Sequence, residues 1–315
     1  MDELDVKILR ALITESAVAP STIQVNESLR SIAARIKADD KTVNYRYKRL
    51  QESGALSGWQ LIVNPAFFGC QLMDMTVDVQ PESAKSDMIR KLKLVHEIVG
   101  MFDYYGRALK LILMFNSTES RPRIIELISR ITNPERVVQF RWVLPQCRID
   151  RLLETDVAIF RALSNDARKS FVQVSKELGL STRTVRNRVI NLRQTNTVFV
   201  VPTLNFGGIP GLIPVYLSYS YSKQREKGEV DRAMRSHFET SYLSVGFTDP
   251  ESGWILLSAS TMNEVREHLE WAKGQPGIAS ARTDILVRNL MFPEKLIELL
   301  EHRNEKSAIQ RLAFF

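Results

Sequence analysis

The chain has 315 residues, of which 44% are hydrophobic and 25% charged, so it is long enough for several domains. That composition excludes a disordered, collagen-like or rod-like chain. Lys and Arg outnumber Asp and Glu by 43 to 36, a formal charge of +7, which allows attraction to polyanions but becomes specific only if the cations cluster on one element.

Cys70 and Cys147 lie far apart without CxxC spacing, which speaks against a disulfide framework or a cysteine zinc site and fits a reducing cytoplasm. The start, Met1-Asp2-Glu3, is acidic and runs straight into a periodic helix, so no signal peptide is expected. The apolar stretches Leu109 to Phe115 and Ile209 to Leu217 are interrupted and fall short of the roughly 18 residues a bilayer requires. A cytoplasmic protein with no membrane partner is expected.

In chain order, helix-like periodicity covers Leu4 to Ile13, Ser28 to Lys37 and Asp39 to Ser53, followed by a strand from Ala55 to Val63. Next come a strand (Leu72 to Gln80), a helix (Ser83 to Leu94) and two strands (Ile98 to Tyr104, Ala108 to Phe115). A helix (Arg121 to Ile131) and a strand (Val137 to Leu144) follow. The order then restarts. Helices are expected at Thr155 to Leu163, Ser170 to Leu178 and Ser181 to Gln194, with a strand at Val198 to Leu204. A second βαββαβ series runs through Pro214 to Ser222, Glu226 to Phe238, Tyr242 to Phe247, Trp254 to Ala259, Met262 to Trp271 and Ala281 to Arg288. A helix from Pro293 to His302 and an apolar-ended tail, Leu312 to Phe315, close the chain.

Residue identities support a repeat. Asp5-Val6-Lys7-Ile8-Leu9-Arg10-Ala11-Leu12 returns as Asp156-Val157-Ala158-Ile159-Phe160-Arg161-Ala162-Leu163, and Lys41-Thr42-Val43-Asn44-Tyr45-Arg46 returns as Arg183-Thr184-Val185-Arg186-Asn187-Arg188. The first offset is 151 and the second 142, which places nine extra residues in the first copy as an enlarged loop over Ala17 to Asn26. Three short helices with a tight turn before the third make a helix-turn-helix, and βαββαβ builds a four-stranded antiparallel sheet with two helices on one face. The fold class expected is therefore α+β: two winged helix-turn-helix domains alternating with two ferredoxin-like domains. The units are placed at 1–63, 64–150, 151–206 and 207–303, with a tail at 304–315.

The third helix of each copy carries the sharpest chemical signal. Arg183, Arg186, Asn187, Arg188 and Arg193 cluster without an acidic residue, while Val185, Val189 and Leu192 form a packing stripe. In the first copy Lys41, Asn44, Tyr45 and Lys48 face one way, with Arg46 and Arg49 beside them, and Val43, Tyr47 and Leu50 form the stripe. Arg and Lys neutralise phosphates or contact guanine edges, and Asn pairs with adenine. Asn44, Tyr45, Arg183, Arg186 and Asn187 are expected to read bases while Thr42, Ser181 and Thr184 hold phosphates. Unlike residues on the two helices make the expected operator asymmetric. A merely solvated basic face is the plainer alternative, and two copies, each behind a capped turn, weigh against it.

With those residues in view, the chain resembles the leucine-responsive and asparagine-synthase regulators (Lrp/AsnC) of bacteria and archaea, duplicated in one polypeptide. Asp-x-x-Ile-Leu/Phe-x-x-Leu, Leu180-Ser181-x-x-Thr184-Val185-x-x-Arg188-Val189, Arg49-Leu50-x-x-x-Gly54-x-Leu56-x-Gly58 and Val63-Asn64-Pro65-x-x-x-Gly69 carry the resemblance. It implies double-stranded DNA as partner, an effector-type βαββαβ domain, and self-association as a dimer, a larger ring or an intrachain pseudo-dimer. It does not fix an effector. The family's acidic loop between the second and third strands is replaced by Gly106-Arg107-Ala108-Leu109, and the second copy has Asp249-Pro250-Glu251. Arg107 would suit a carboxylate and Asp249 or Glu251 an ammonium, but all three also read as ordinary turn residues.

Siroheme decarboxylases share this layout and form the enzymatic alternative; a docking or sensing module without DNA is the third. The Tyr-Asn-x-Trp-like strand and active-site histidines of those enzymes are not found, and His96, His237, His268 and His302 show no metal spacing. No catalytic residue, metal or cofactor is expected.

Overall fold

The computed structural model of the chain describes residues 2–16, 28–116, 119–142, 144–149, 151–164, 166–223, 226–246 and 249–300. The enlarged loop expected at Ala17 to Asn26, His302 and the tail lie outside these residues. Three helices, α1 (Glu3–Ser16), α2 (Leu29–Arg35) and α3 (Asp40–Glu52), open the chain and lead into strand β1 (Leu56–Val63). Strand β2 (Gln71–Asp78), helix α4 (Lys85–Leu92), strands β3 (Ile98–Tyr104) and β4 (Ala108–Phe115), helix α5 (Ser120–Thr132) and strand β5 (Val137–Arg141) follow. The order returns as α6 (Glu154–Ser164), α7 (Phe171–Leu178), α8 (Thr182–Gln194) and β6 (Val198–Leu204). Then come β7 (Ile213–Tyr221), α9 (Lys227–His237), β8 (Tyr242–Gly246), β9 (Ser252–Ala259), α10 (Met262–Lys273) and β10 (Ile278–Met291). A helix over 293–300, α11, is the last described element.

The turn preceding each third helix has the same construction. After α7, Gly179 takes the left-handed conformation with φ 63°, and the Leu180 amide donates to the Ser175 carbonyl. After α2, the Ala38 amide donates to the Ala33 carbonyl in the same way, but the left-handed position is held by Lys37 with φ 55°. A side chain there crowds its own carbonyl. Replacing exposed Lys37 by Gly is expected to raise stability by roughly 0.5–1 kcal/mol, read from the thermal midpoint. A drop in midpoint would show that the lysine side chain stabilises the turn instead.

Strands β1 and β6, read from sequence as separate wings or links, pair with each other antiparallel, Val63 opposite Val198 and Leu56 opposite Leu204. This two-stranded ribbon ties the helical units together. Trp59 on β1 accepts the Ala167 amide at its carbonyl, and the Arg168 guanidinium lies 4.0 Å from the centre of its ring. One continuous apolar cluster therefore runs from Leu9, Val43 and Leu50 through Trp59 to Val185 and Leu192.

The βαββαβ strands form a single eight-stranded antiparallel sheet, ordered β5-β2-β4-β3-β10-β7-β9-β8. Each half keeps its own core under two helices, with Met75, Leu111 and Ile128 in one and Leu217, Met234 and Leu257 in the other. The halves join through β10, which is longer than its expected Ala281 to Arg288. Its first part pairs β7 and its last part pairs β3, with a register shift between Leu286 and Arg288. Arg282 on β10 grips Asp78 of the other half with two hydrogen bonds of 2.8 Å, and Arg288 reaches Asp103 at 2.9 Å. Helix α1 docks on the second half as well: the Arg10 Nε donates to the Tyr242 carbonyl at 2.7 Å.

Candidate nucleic-acid interface

Helix α8 begins at Ser181, whose hydroxyl accepts the Thr184 amide at 3.0 Å, and Val185, Val189 and Leu192 anchor its inner face. Arg183, Arg186 and Asn187 are left exposed on the outer face. The helix carries four arginines and no acid. Its amino end is neutral as well as partly positive through the aligned peptide dipoles, an arrangement that favours a phosphate.

Helix α3 is built alike and charged differently. Asp39 caps it, accepting the Thr42 amide and hydroxyl at 2.9 and 3.1 Å, and the amide hydrogen bond holds this carboxyl below its ordinary range. Asp40 follows at once, and its carboxylate and carbonyl accept from the Asn44 side chain at 2.8 and 2.9 Å. Lys41, Lys48 and Arg49 are exposed, and Tyr45 is 61% exposed with the Arg49 guanidinium 5.9 Å from its ring centre. Two carboxylates at its amino end make α3 the poorer seat for a phosphate. Thr42 and Thr184 direct their hydroxyls to their own cap residues, Asp39 and Ser181 (2.8 Å for the second pair).

Three of the expected DNA contacts do not lie on the exposed faces. Arg188 turns inward to Asp156 on α6, a carboxylate with no side-chain exposure, donating from Nε at 2.6 Å and also from Nη2. Hydrogen bonding to Asp156 raises the Arg188 pKa. Arg46 occupies the matching place, donating to Asp5 at 2.9 and 3.0 Å and pairing with Asp2 at 2.7 Å. The opening Asp of each helical unit and the arginine of its third helix are thus partners. Two carboxylates hold each arginine's charge or one holds it firmly, which removes both side chains from the set presented outward. Arg193 is half-buried at the far end of α8, not on the exposed face.

The effector residues expected in the loops do not assemble into a site. Arg107 pairs with Glu135 at 2.5 Å. Asp249 accepts the Glu251 and Ser252 amides at 2.9 and 3.0 Å, the ordinary task of a turn aspartate, and Glu251 is exposed beside it.

A different constellation was missed. The helix-free faces of the two half-sheets curve toward one another around a cavity of about 340 Å³, bordered by Asp74, Phe140, Tyr216 and Trp254 among others. Asp74 is 2% exposed with neither carboxylate oxygen hydrogen-bonded, and the Lys110 ammonium stands 3.4 Å away. That ammonium also lies 4.0 Å from the ring centre of Tyr216 and 4.5 Å from that of Phe102. Burial pushes the Asp74 pKa up and the Lys110 pKa down. The sequence did contain a signal: Asp74 and Lys110 each interrupt an otherwise apolar strand. Among the described residues no group of His, Cys, Asp and Glu could hold a metal ion, and no helix is long and apolar enough to cross a membrane.

Comparison with known proteins bears on the second helical unit directly. Residues 154–193, which are α6 to α8, match the AsnC-type helix-turn-helix domain. Over 106 residues the chain is 28% identical to the HTH-type transcriptional regulator Ptr1 of Methanocaldococcus jannaschii. The second helical unit is an AsnC-type helix-turn-helix domain. The stretch shared with Ptr1 is 34% of this chain and spans 66% of that relative's length. Among solved structures, the siroheme decarboxylase NirDL matches 96% of this chain and 100% of its own at a TM-score of 0.54 and 11% identity. That likeness extends the shared fold, helix-turn-helix plus ferredoxin-like units, over the whole chain. AsnC of E. coli matches 49% of this chain and 97% of its own, with 17% identity and a TM-score of 0.31.

Proposed function

We propose that the chain is a tandem duplicate acting without catalysis as a sequence-specific regulator on double-stranded DNA, with α8 as the principal reader and α3 as a weaker one. The supporting observation is the outer face of α8: Arg183, Arg186 and Asn187 stand exposed on a helix free of acids behind a neutral cap. Those side chains suit a major groove, with the arginines on guanine edges or phosphates and Asn187 on adenine. On α3, Lys41, Tyr45, Lys48 and Arg49 reach the second half-site past Asp39 and Asp40. The boundaries 1–63, 64–150, 151–206 and 207–303 divide the chain into two such regulator halves, which act as one pseudo-dimer and associate further with other copies.

Fluorescence anisotropy on genomic fragments across a salt series tests this. Binding weakens steeply with salt, and Arg186→Ala costs about 1–3 kcal/mol of binding free energy. Lys41→Ala costs less. Absence of binding at low salt sinks the proposal, and a selected operator with perfect two-fold symmetry sinks the inequality of the helices.

The full-length fold likeness to NirDL favours one alternative, catalysis on a tetrapyrrole. No histidine borders the cavity between the half-sheets. An absorbance change when siroheme is turned over by the full chain would establish the enzyme in place of the regulator.

A further inference from the structure

The cavity between the half-sheets has an axis. On β2 and β5, Asp74 lies opposite Phe140 and Thr76 opposite Val138, while the Asp78 amide donates to the Arg136 carbonyl. Asp74 and Arg136 therefore border the cavity four ladder positions apart, about 13 Å at roughly 3.3 Å per residue. Across the space, the Lys110 ammonium lies 3.4 Å from Asp74 and 4.0 Å from the ring centre of Tyr216, so Tyr216 belongs to the Asp74 end.

The chemistry differs along that axis. At the deep end stand the buried Asp74 carboxylate, ion-paired with Lys110, and the indole of Trp254, whose Nε1 is buried without a hydrogen-bond partner and whose ring centre is 6.5 Å from that of Phe140. Buried polar groups are almost always satisfied, so a carboxylate beside an unpaired indole N–H calls for a group that can donate to the one and accept from the other, as a hydroxyl does. With Lys110 3.4 Å from the carboxylate, a neutral N–H or O–H fits there better than a second cation. From there toward Arg136 the walls are apolar, with Phe140 and then Val138 on one side and Tyr216 and Trp254 on the other, which suits an aromatic ring. At the mouth, Arg136 is exposed and makes no ion pair among the described residues, whereas Arg282 is already committed to Asp78 and Asp284.

We infer that this cavity is a binding site for an elongated aromatic carboxylate carrying a neutral hydrogen-bond donor at its far end, the donor to Asp74 and the carboxylate to Arg136. An aliphatic α-amino acid, with ammonium and carboxylate on one carbon, spans neither the distance nor the charge pattern. The site is independent of DNA binding, and its test contains no DNA, so it stands or falls separately from the proposed function.

The probe is 4-hydroxyphenylacetate, titrated calorimetrically into the full chain. One equivalent binds. Phenylacetate, lacking the donor, and 4-hydroxyphenethyl alcohol, lacking the anion, each bind about tenfold or more weakly. Arg136 is exposed just before the edge strand β5, so Arg136→Ala keeps the fold and loses the preference for 4-hydroxyphenylacetate over the alcohol. Lys110→Met combined with Asp74→Val, which removes the acceptor without leaving a buried charge, loses the preference over phenylacetate. No binding at millimolar probe, equal affinity in Arg136→Ala, or equally tight binding of L-leucine would overturn the site.

Discussion

Arg188→Ala is expected to destabilise the second helical unit by about 3–5 kcal/mol, because it strands a carboxylate that has no solvent to return to. Asp156 has no side-chain exposure, and its remaining protein donor is the Leu153 amide at 2.9 Å. Thermal melting and hydrogen exchange across α6 to α8 report the loss, and DNA binding disappears with the fold. Adding Asp156→Ala to Arg188→Ala restores part of the stability, since the buried charge is then gone. The corresponding Arg46→Ala is much milder, about 0.2–1 kcal/mol, because Asp2 is 52% and Asp5 16% exposed and water replaces the arginine. An Arg188→Ala protein that melts like the parent but binds DNA weakly would return Arg188 to the DNA contacts.

Arg188 also marks where sequence reasoning reaches its limit. Its position among other arginines in α8 is legible, as are the N-cap at Ser181, the left-handed Gly179 and the βαββαβ order, since all are local or periodic. Whether an arginine faces solvent or Asp156, 32 positions earlier, depends on how α6 crosses α8, and local spacing is silent on that. The repeat nevertheless contained a hint, because the opening Asp and the later Arg return together. The pairing of β1 with β6 and the joint use of β10 by β7 and β3 are likewise long-range. Neither strand's own pattern names its partner; hence two wings were expected where one ribbon forms, and a short strand where β10 spans both halves. The cavity is the extreme case. Asp74, Tyr216 and Trp254 come from three strands and Arg136 from the residue before a fourth, and they meet only because the sheet curves, so nothing local in the sequence brings them together.

Lys110→Met is expected to cost about 3–5 kcal/mol near neutral pH, again through an uncompensated buried carboxylate. Here the pH dependence separates the cause from simple mispacking. Burial raises the Asp74 pKa above the ordinary 3.8, and the attraction of Lys110 works against that rise. Removing the ammonium lets the carboxyl climb further. A carboxyl whose folded-state pKa exceeds its unfolded value favours the fold while protonated, below about 3.8, and that contribution is lost as pH rises through the folded value. The deficit of Lys110→Met relative to the parent therefore shrinks as pH falls toward 4 and is full at neutrality, as denaturant melts at several pH values would record. Lys110→Met combined with Asp74→Val should recover the parent's stability or exceed it by about 1–4 kcal/mol, because neither Asp74 oxygen has a hydrogen bond to lose. Such a variant would fold well and still lack the deep acceptor of the cavity. If instead the deficit is the same at every pH, the aromatic packing of the Lys110 stem against Phe102 and Tyr216, not its charge, is what holds the two half-sheets at this point.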